Sequence, residues 1–289
     1  MRKYVLWLTV LLFVLSGSLA FAQANFTNMV TFGDSLTHND ILGIVYGNPQ
    51  DMYGKDSMEA VFSKGTSGGD KLTNYAVAGS ESSQVAIQID LYEFFQLIGF
   101  QKNATLIGFE IGGNDILNNT DLLVGYAPGQ NPSADAVIDR LIANARKDLL
   151  RLRRSHQSAQ FIIWTIPDVT LTPRLWYGLT PWEIANLREH IERANHLIRN
   201  LRKYPFVVVL DLYRLMPAVI ENPPVFFGQQ LVAPPDYGNY DHLFADEIHP
   251  TAVSNALLAN IMIQIINSKW NDSVPLYTEE ELADLARIP

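Results

Sequence analysis

Gln160-Phe161-Ile162-Ile163-Trp164-Thr165-Ile166 is apolar at consecutive positions, where a strand with one wet face would alternate. Such a run suits a strand of a parallel sheet, covered by helices on both faces. Four other runs, rich in β-branched and apolar residues, read the same way: Met29–Phe32 and residues 72–77, 105–111 and 206–210. Helical periodicity lies between and after them. Over residues 133–153, Val137, Ile138, Leu141, Ile142, Ala145, Leu149 and Leu152 fall on one face, and Asp139, Arg140, Lys147 and Arg151 on the other. Thr180-Pro181-Trp182-Glu183 is a capping box with proline at the first helical position, opening a helix whose Ile184, Leu187, Ile191, Ala194, Ile198 and Leu201 face inward. Pro250 is expected to start a third helix carrying Leu257, Leu258, Ile261 and Ile265.

Strand–helix alternation of this kind implies a parallel sheet inside a three-layer α/β/α sandwich. No internal repeat, low-complexity tract or linker divides the chain, so a single domain over residues 25–289 is expected. Residues 43–70 and 221–246, the latter with Pro223-Pro224 and Pro234-Pro235, read as long loops, and loops that long in a compact domain tend to be functional.

Composition excludes several function classes. With 48% hydrophobic and 18% charged residues, the 289-residue chain can bury a full core. Asp plus Glu is 30 against 21 for Lys plus Arg, a net charge of −9, and there is no basic block. Nucleic acid and anionic membrane surfaces are therefore poor partners. The absence of cysteine removes disulfide scaffolds, thiolate metal sites, cysteine nucleophiles and a lipoprotein anchor.

The N-terminus reads as an address. Arg2-Lys3 precedes an apolar run from Tyr4 to Leu15, then Ser16-Gly17-Ser18 and the small-x-small site Ala20-Phe21-Ala22. Residues 1–22 are expected to be a cleaved signal, with Ala22-Gln23-Ala24 as an alternative site. The competing reading, a retained anchor, needs about 20 apolar residues, more than this run supplies. Removing the signal takes Arg2 and Lys3 with it and makes the charge −11. The expected product is exported, secreted or periplasmic, and bacterial.

Chemistry-bearing residues follow the strands. The first runs into Thr31-Phe32-Gly33-Asp34-Ser35-Leu36-Thr37, which puts Ser35 at the carboxyl edge of the sheet, where a helix N-terminus can follow. The second ends in Ala76-Val77-Ala78-Gly79-Ser80, the third in Gly112-Gly113-Asn114-Asp115. Before the last helix comes Asp246-Glu247-Ile248-His249-Pro250-Thr251, in which a carboxylate and an imidazole can meet within one turn. Each block alone has an ordinary reading: Ser35 as an N-cap, Gly79 as a strand-end turn, Asn114 or Asp115 as a helix cap, Asp246 and His249 as a surface cap. The pair Asp241-His242 competes with the latter two. Together, however, the blocks supply a nucleophile, a base, an orienting acid and hydrogen-bond donors, collected at the sheet edge where open α/β sheets bind ligands.

Gly33-Asp34-Ser35-Leu36, Gly79, Gly112-Gly113-Asn114-Asp115 and Asp246-x-x-His249-Pro250 resemble, in order, the four blocks of the GDSL, or SGNH, esterase/lipase family. Residues 75–79 and 166–173 are further similar to the branch of plant-type GDSL lipases and bacterial secreted phospholipase/acyltransferases. The resemblance implies an SGNH hydrolase fold with a five-stranded flavodoxin-like sheet of order 2-1-3-4-5. It also implies Ser35 as nucleophile, Asp246 and His249 as orienter and base, and Ser35, Gly79 and Asn114 as oxyanion donors. Thr37-His38-Asn39-Asp40 departs from that branch's usual stretch after the serine, and no Gly-x-Ser-x-Gly elbow surrounds Ser35.

The expectation is a serine esterase or lipase, with no metal or organic cofactor, acting on lipid or phospholipid acyl esters first and acyl-glycan esters second. Transient contact with lipid aggregates goes with the first choice. Two readings compete: acyl transfer to an alcohol with the same triad, and a catalytically dead binding module on the same scaffold. Trp176, Tyr177 and Trp182 in one loop, with Phe226, Phe227, Tyr237 and Tyr240 in another, either wall an acyl pocket or pack the loops.

Expressed with its own N-terminus in a secreting bacterium, the mature protein should begin at Gln23 or Asn25. N-terminal sequencing that finds Met1 intact on a membrane-bound product would contradict the signal reading.

Overall fold

The computed structural model describes residues 24–38, 72–236 and 241–285. The expected signal, the expected loop 43–70, and Asn39, Asp40, Tyr237 and Tyr240 lie outside them. Five strands, β1 (Met29–Phe32), β2 (Leu72–Asn74), β3 (Leu106–Phe109), β4 (Gln160–Trp164) and β5 (Val207–Leu210), form a parallel sheet of order β2-β1-β3-β4-β5. Strand β1 matches its apolar run, and the other four are shorter than theirs. Beyond the ladder the chain stays beside its neighbour: Tyr75 and Val77 donate N–H groups to Thr31 and Gly33, Glu110 to Phe32, and Thr165 to Leu210. The runs therefore mark the buried path of the chain, of which regular strand is only the first part.

Alternation along each strand sorts the side chains into two cores. Val30, Phe32, Ile107, Phe109, Phe161, Ile163, Val207 and Val209 face α1 (Val85–Leu97), α4 (Pro132–Ser155) and α5 (Pro181–Asn200). Met29, Leu106, Ile162, Trp164, Val208 and Leu210 face α7 (Ala252–Trp270), which covers the opposite side. Two short helices, α2 (Gly113–Leu117) and α3 (Thr120–Val124), follow β3. Helix α6 (Leu212–Glu221) follows β5 and leads into a hairpin of β6 (Val225–Phe226) and β7 (Gln229–Gln230) inside the expected loop 221–246, and α8 (Glu279–Leu285) comes last.

Two helix starts agree with their capping signals. Asn131 accepts N–H bonds from Ser133 and Ala134 ahead of α4, with Pro132 at its first turn, and the Thr180–Glu183 box opens α5. The third start needs correction. Pro250 lies in a bridge with Phe244, and Thr251, whose hydroxyl accepts the Ser254 N–H, caps α7 from Ala252. A proline already bonded into a bridge is extended chain, so the helix begins after the next cap. Among the described residues no helix is long and apolar enough to cross a membrane.

At one point the sheet tolerates only glycine. Gly33 has φ +155, and a Cβ there would sit 2.2 Å from the Glu110 carbonyl oxygen. Backbone cannot rotate away as a side-chain tip can. Gly33→Ala should therefore lower the unfolding free energy by roughly 2–4 kcal/mol in chemical denaturation, as expected for overpacking plus backbone strain.

Candidate active site

The turn that carries Ser35 is fixed by an amide from α1 and by bonds of its own. Residues 35–37 form a tight turn past β1. The Gly33 N–H donates to Gln88 Oε1 at 2.9 Å and its carbonyl accepts from Gln88 Nε2 at 2.8 Å, so a buried amide from α1 pairs with this peptide as another strand would. Within the turn, the Asp34 carbonyl accepts the His38 N–H at 3.0 Å, and Asp34 Oδ1 accepts the Leu36 N–H at 3.1 Å. The helix expected after Ser35 would start outside the described residues.

Gly79 has φ +79, a conformation that suits glycine, and space is open where a Cβ would point. The Asn114 side-chain amide reaches across from α2 and donates to the Ser80 carbonyl at 3.0 Å. Gly112 is the N-cap of α2, so Asn114 and Asp115 stand in its first turn and do not cap it. Asp115 instead accepts the Ser82 N–H at 2.8 Å and hydroxyl at 2.7 Å, tying α2 to the chain beyond Gly79. Burial pushes the Asp115 carboxyl up, against the two Ser82 bonds that pull it down.

The C-terminal turn completes the constellation. Asp246 Oδ1 accepts the N–H groups of Ile248 and His249 at 2.7 and 2.6 Å. That closed turn leaves Oδ2 2.7 Å from His249 Nδ1, and His249 Nε2 lies 2.8 Å from Ser35 Oγ. Arg174 donates its N–H to the Glu247 carbonyl at 2.9 Å, so the chain just past residues 166–173 braces this turn. Burial raises the Asp246 carboxyl, but its bonds to His249 and Ile248 outweigh that and hold it below the usual carboxylate range. It is therefore ionised across the pH range in which imidazole titrates. Asp241 and His242 face elsewhere: His242 Nδ1 lies 2.5 Å from the Pro234 carbonyl and its Nε2 3.5 Å from Asp241.

Ser35, Gly79, Asn114 and His249 line one cavity of about 530 Å³. Its walls are largely aliphatic, from α6 and α7, with Trp164 and Phe244 as aromatic members. None of the described loop aromatics considered above is among them. Trp176 packs edge-on against Phe244 and Phe226 is in the core, while Tyr177, Trp182 and Phe227 are exposed. Sequence reasoning also passed over Gln88 and Glu110. Each is a polar residue inside an otherwise apolar run, and that interruption was the available signal.

The sequence model of the family described as GDSL-like Lipase/Acylhydrolase matches residues 29–262. The chain belongs to that family. As a GDSL hydrolase it acts on carboxylic esters, and two solved structures with TM-scores above 0.5 share its fold. The lipase Lip_vut3 from a goat rumen metagenome is 14% identical, with 82% of this chain and 96% of that one covered and a TM-score of 0.54. A candidate GDSL-like lipase from Parabacteroides merdae is 14% identical, covers 86% and 98%, and has a TM-score of 0.52. Phospholipase A1 from Streptomyces albidoflavus is 16% identical, with 84% and 99% covered and a TM-score of 0.47. No curated protein sequence matches the chain significantly.

In this GDSL hydrolase, Asp246→Asn should leave folding intact yet lower kcat by up to ~10⁴-fold, since a neutral amide no longer fixes the imidazole tautomer. Asp241→Asn and His242→Ala should each stay within about threefold of wild type, as surface changes usually do. Steady-state kinetics of the three variants separates the pairs.

Proposed function

We propose that the protein is an exported serine esterase of the lipase type, which hydrolyses acyl esters of lipids through an acyl-Ser35 intermediate. The observation that carries the reading is the Ser35–His249–Asp246 chain, with contacts of 2.8 and 2.7 Å, at the wall of an apolar cavity. His249 Nδ1–H donates to Asp246, which leaves Nε2 to accept the Ser35 proton. Ser35 Oγ attacks the ester carbonyl carbon, and the proton passes through His249 to the departing alkoxide. Water, deprotonated by the same imidazole, then attacks the acyl-enzyme, and the acid leaves as Ser35 regains its proton.

Charge develops on the carbonyl oxygen, and three donors border the place where it would sit: the N–H groups of Ser35 and Gly79 and the Asn114 amide. One Asn114 N–H is engaged by the Ser80 carbonyl, which orients the other. Fixed donors of this kind stabilise the oxyanion more than the flat ester.

The cavity supports the lipid choice. Leu212 is the one buried residue of α6; Leu215, Met216, Val219 and Ile220 are partly buried and line the cavity with it, as do Leu257, Leu258 and Ile261 of α7. An aliphatic slot that starts at the nucleophile suits an alkyl chain and offers little to a sugar. Export rests on the N-terminal pattern of residues 2–24.

A fluorophosphonate probe should add one label per chain, on Ser35, and Ser35→Ala should abolish it in intact-mass measurement. With p-nitrophenyl esters, kcat/KM should rise by up to about fourfold per added methylene, at ~0.8 kcal/mol per buried CH₂, until the slot is full. Val219→Trp should move that plateau to shorter chains. Labelling that survives in the Ser35 variant would identify another nucleophile, and a flat chain-length series would remove the lipid assignment.

A further inference from the structure

Two carboxyl groups outside the triad lie side by side beneath the nucleophile turn. Asp34 and Glu110 are both buried, at 2% and 1% exposure, and their side chains lie within hydrogen-bonding reach of each other. They come from adjacent strands. Glu110 directly follows β3 and donates its N–H to the Phe32 carbonyl at 3.2 Å, and its own carbonyl is the group packed against Gly33. Asp34 immediately precedes Ser35, and its Oδ1 holds the Leu36 N–H on the other side of the serine. The titratable groups acting on Asp34 are Glu110 at the end of β3, Asp115 of α2, and His249 of the C-terminal turn. Of these only His249 is ever cationic. Among the described residues no group of three or more His, Asp or Glu side chains is placed to hold a metal ion.

Two ionised carboxylates have no hydrogen to place between them. A carboxyl–carboxyl bond contains one proton, and buried like charges at that distance titrate as a pair that holds its last proton far above the ordinary carboxylate range. We propose that Asp34 and Glu110 share one proton at neutral pH, and that this proton holds the Ser35 turn in its reactive geometry. The Leu36 N–H and the imidazolium formed on His249 favour the charge on Asp34, so Glu110 is the donor. Burial pushes the Asp34 carboxyl up, in keeping with a pair that resists full ionisation. The shared proton also keeps one negative charge near the oxyanion site where two would oppose catalysis. Because the folded state holds the proton more tightly than the unfolded chain, the pair's contribution is present at low pH and lost as pH rises through its raised value. Both the Ser35 turn and catalysis should loosen on the alkaline side. The catalytic half of this proposal rests on Ser35 being the nucleophile; the proton does not.

Infrared spectroscopy of the full chain reads the proton directly. At about pH 8, where ordinary carboxyls are ionised, wild type should show the carbonyl stretch of a protonated carboxylic acid. The band should shift in ²H₂O and vanish in Glu110→Gln. In kcat/KM profiles on a p-nitrophenyl ester, wild type should decline on the alkaline side. Glu110→Gln keeps a donor that does not titrate, so it should lose that decline and fall at neutral pH by no more than about tenfold, whereas Glu110→Leu, with no donor, should fall by about 10²-fold. Circular dichroism of Glu110→Gln establishes that it is folded. A wild type without the band, or an alkaline decline in Glu110→Gln that superimposes on the wild type, would overturn the proposal. If the protein turned over no ester at all, the band would still decide: present and dependent on Glu110, the shared proton stands, and absent, it falls.

Discussion

At Gly33 the first strand passes so close to the end of the third that no side chain fits between them. Much of the site depends on that approach. It lets β1 and β3 remain bonded past their regular pairing, through Glu110 N–H to the Phe32 carbonyl, and so brings the serine turn beside α2. A buried backbone segment that leaves its ladder must find other partners. Gln88 supplies them, matching both the donor and the acceptor of Gly33 with one side-chain amide. The serine is thus presented from a backbone clamped by a strand on one side and a helix on the other. This is a different solution from a strained elbow: the rigidity comes from surrounding bonds, with the serine itself in an ordinary turn.

The other half of the site is built locally. Asp246 closes its own turn with two backbone bonds before it meets the imidazole, so holding the His249 ring needs only four consecutive residues. Thr251 then caps α7, and Arg174 ties the turn to the segment after β4. The Asp246 carboxylate and the His249 imidazole are therefore positioned by the same short loop, and their mutual geometry does not depend on distant packing. Only the distance to Ser35 does.

What could be read in the sequence follows this division. The five strands were legible because burial on both faces leaves continuous apolar runs, although the runs overstate the strands where chain leaves the ladder to form the site. Long amphipathic helices with strong caps, α4 and α5, were legible too. Helix α1 was not, since Ile87, Leu91, Phe94 and Leu97 stay exposed and blur its period. Helix α6 was hidden by Pro217 in its interior, which reads as a breaker. In the site, Ser35, Gly79, Asn114, Asp246 and His249 could be named because each adjoins a recognisable strand end or cap. Gln88 and Glu110 show only as breaks in apolar runs, because their roles are set by residues 55 positions away and on a neighbouring strand, and pair distances of that kind are invisible along the chain. The cavity walls were not legible for the same reason: aliphatic faces of α6 and α7 look like ordinary core until the two helices are seen to stand apart.

His249 and Ser35, in contact in the fold, are 214 residues apart in the chain. Contacts of such separation carry the largest loop-closure entropy, and they form only when most of the intervening sheet is already in place. Between Ser35 and His249 lie four of the five strands and the helices that cover one face. The Ser35–His249 contact is therefore a property of the assembled sheet and of no short fragment of it. A nascent or unfolded chain has the serine and the histidine apart, and they meet only once the turn at residues 246–249 has docked beside Ser35.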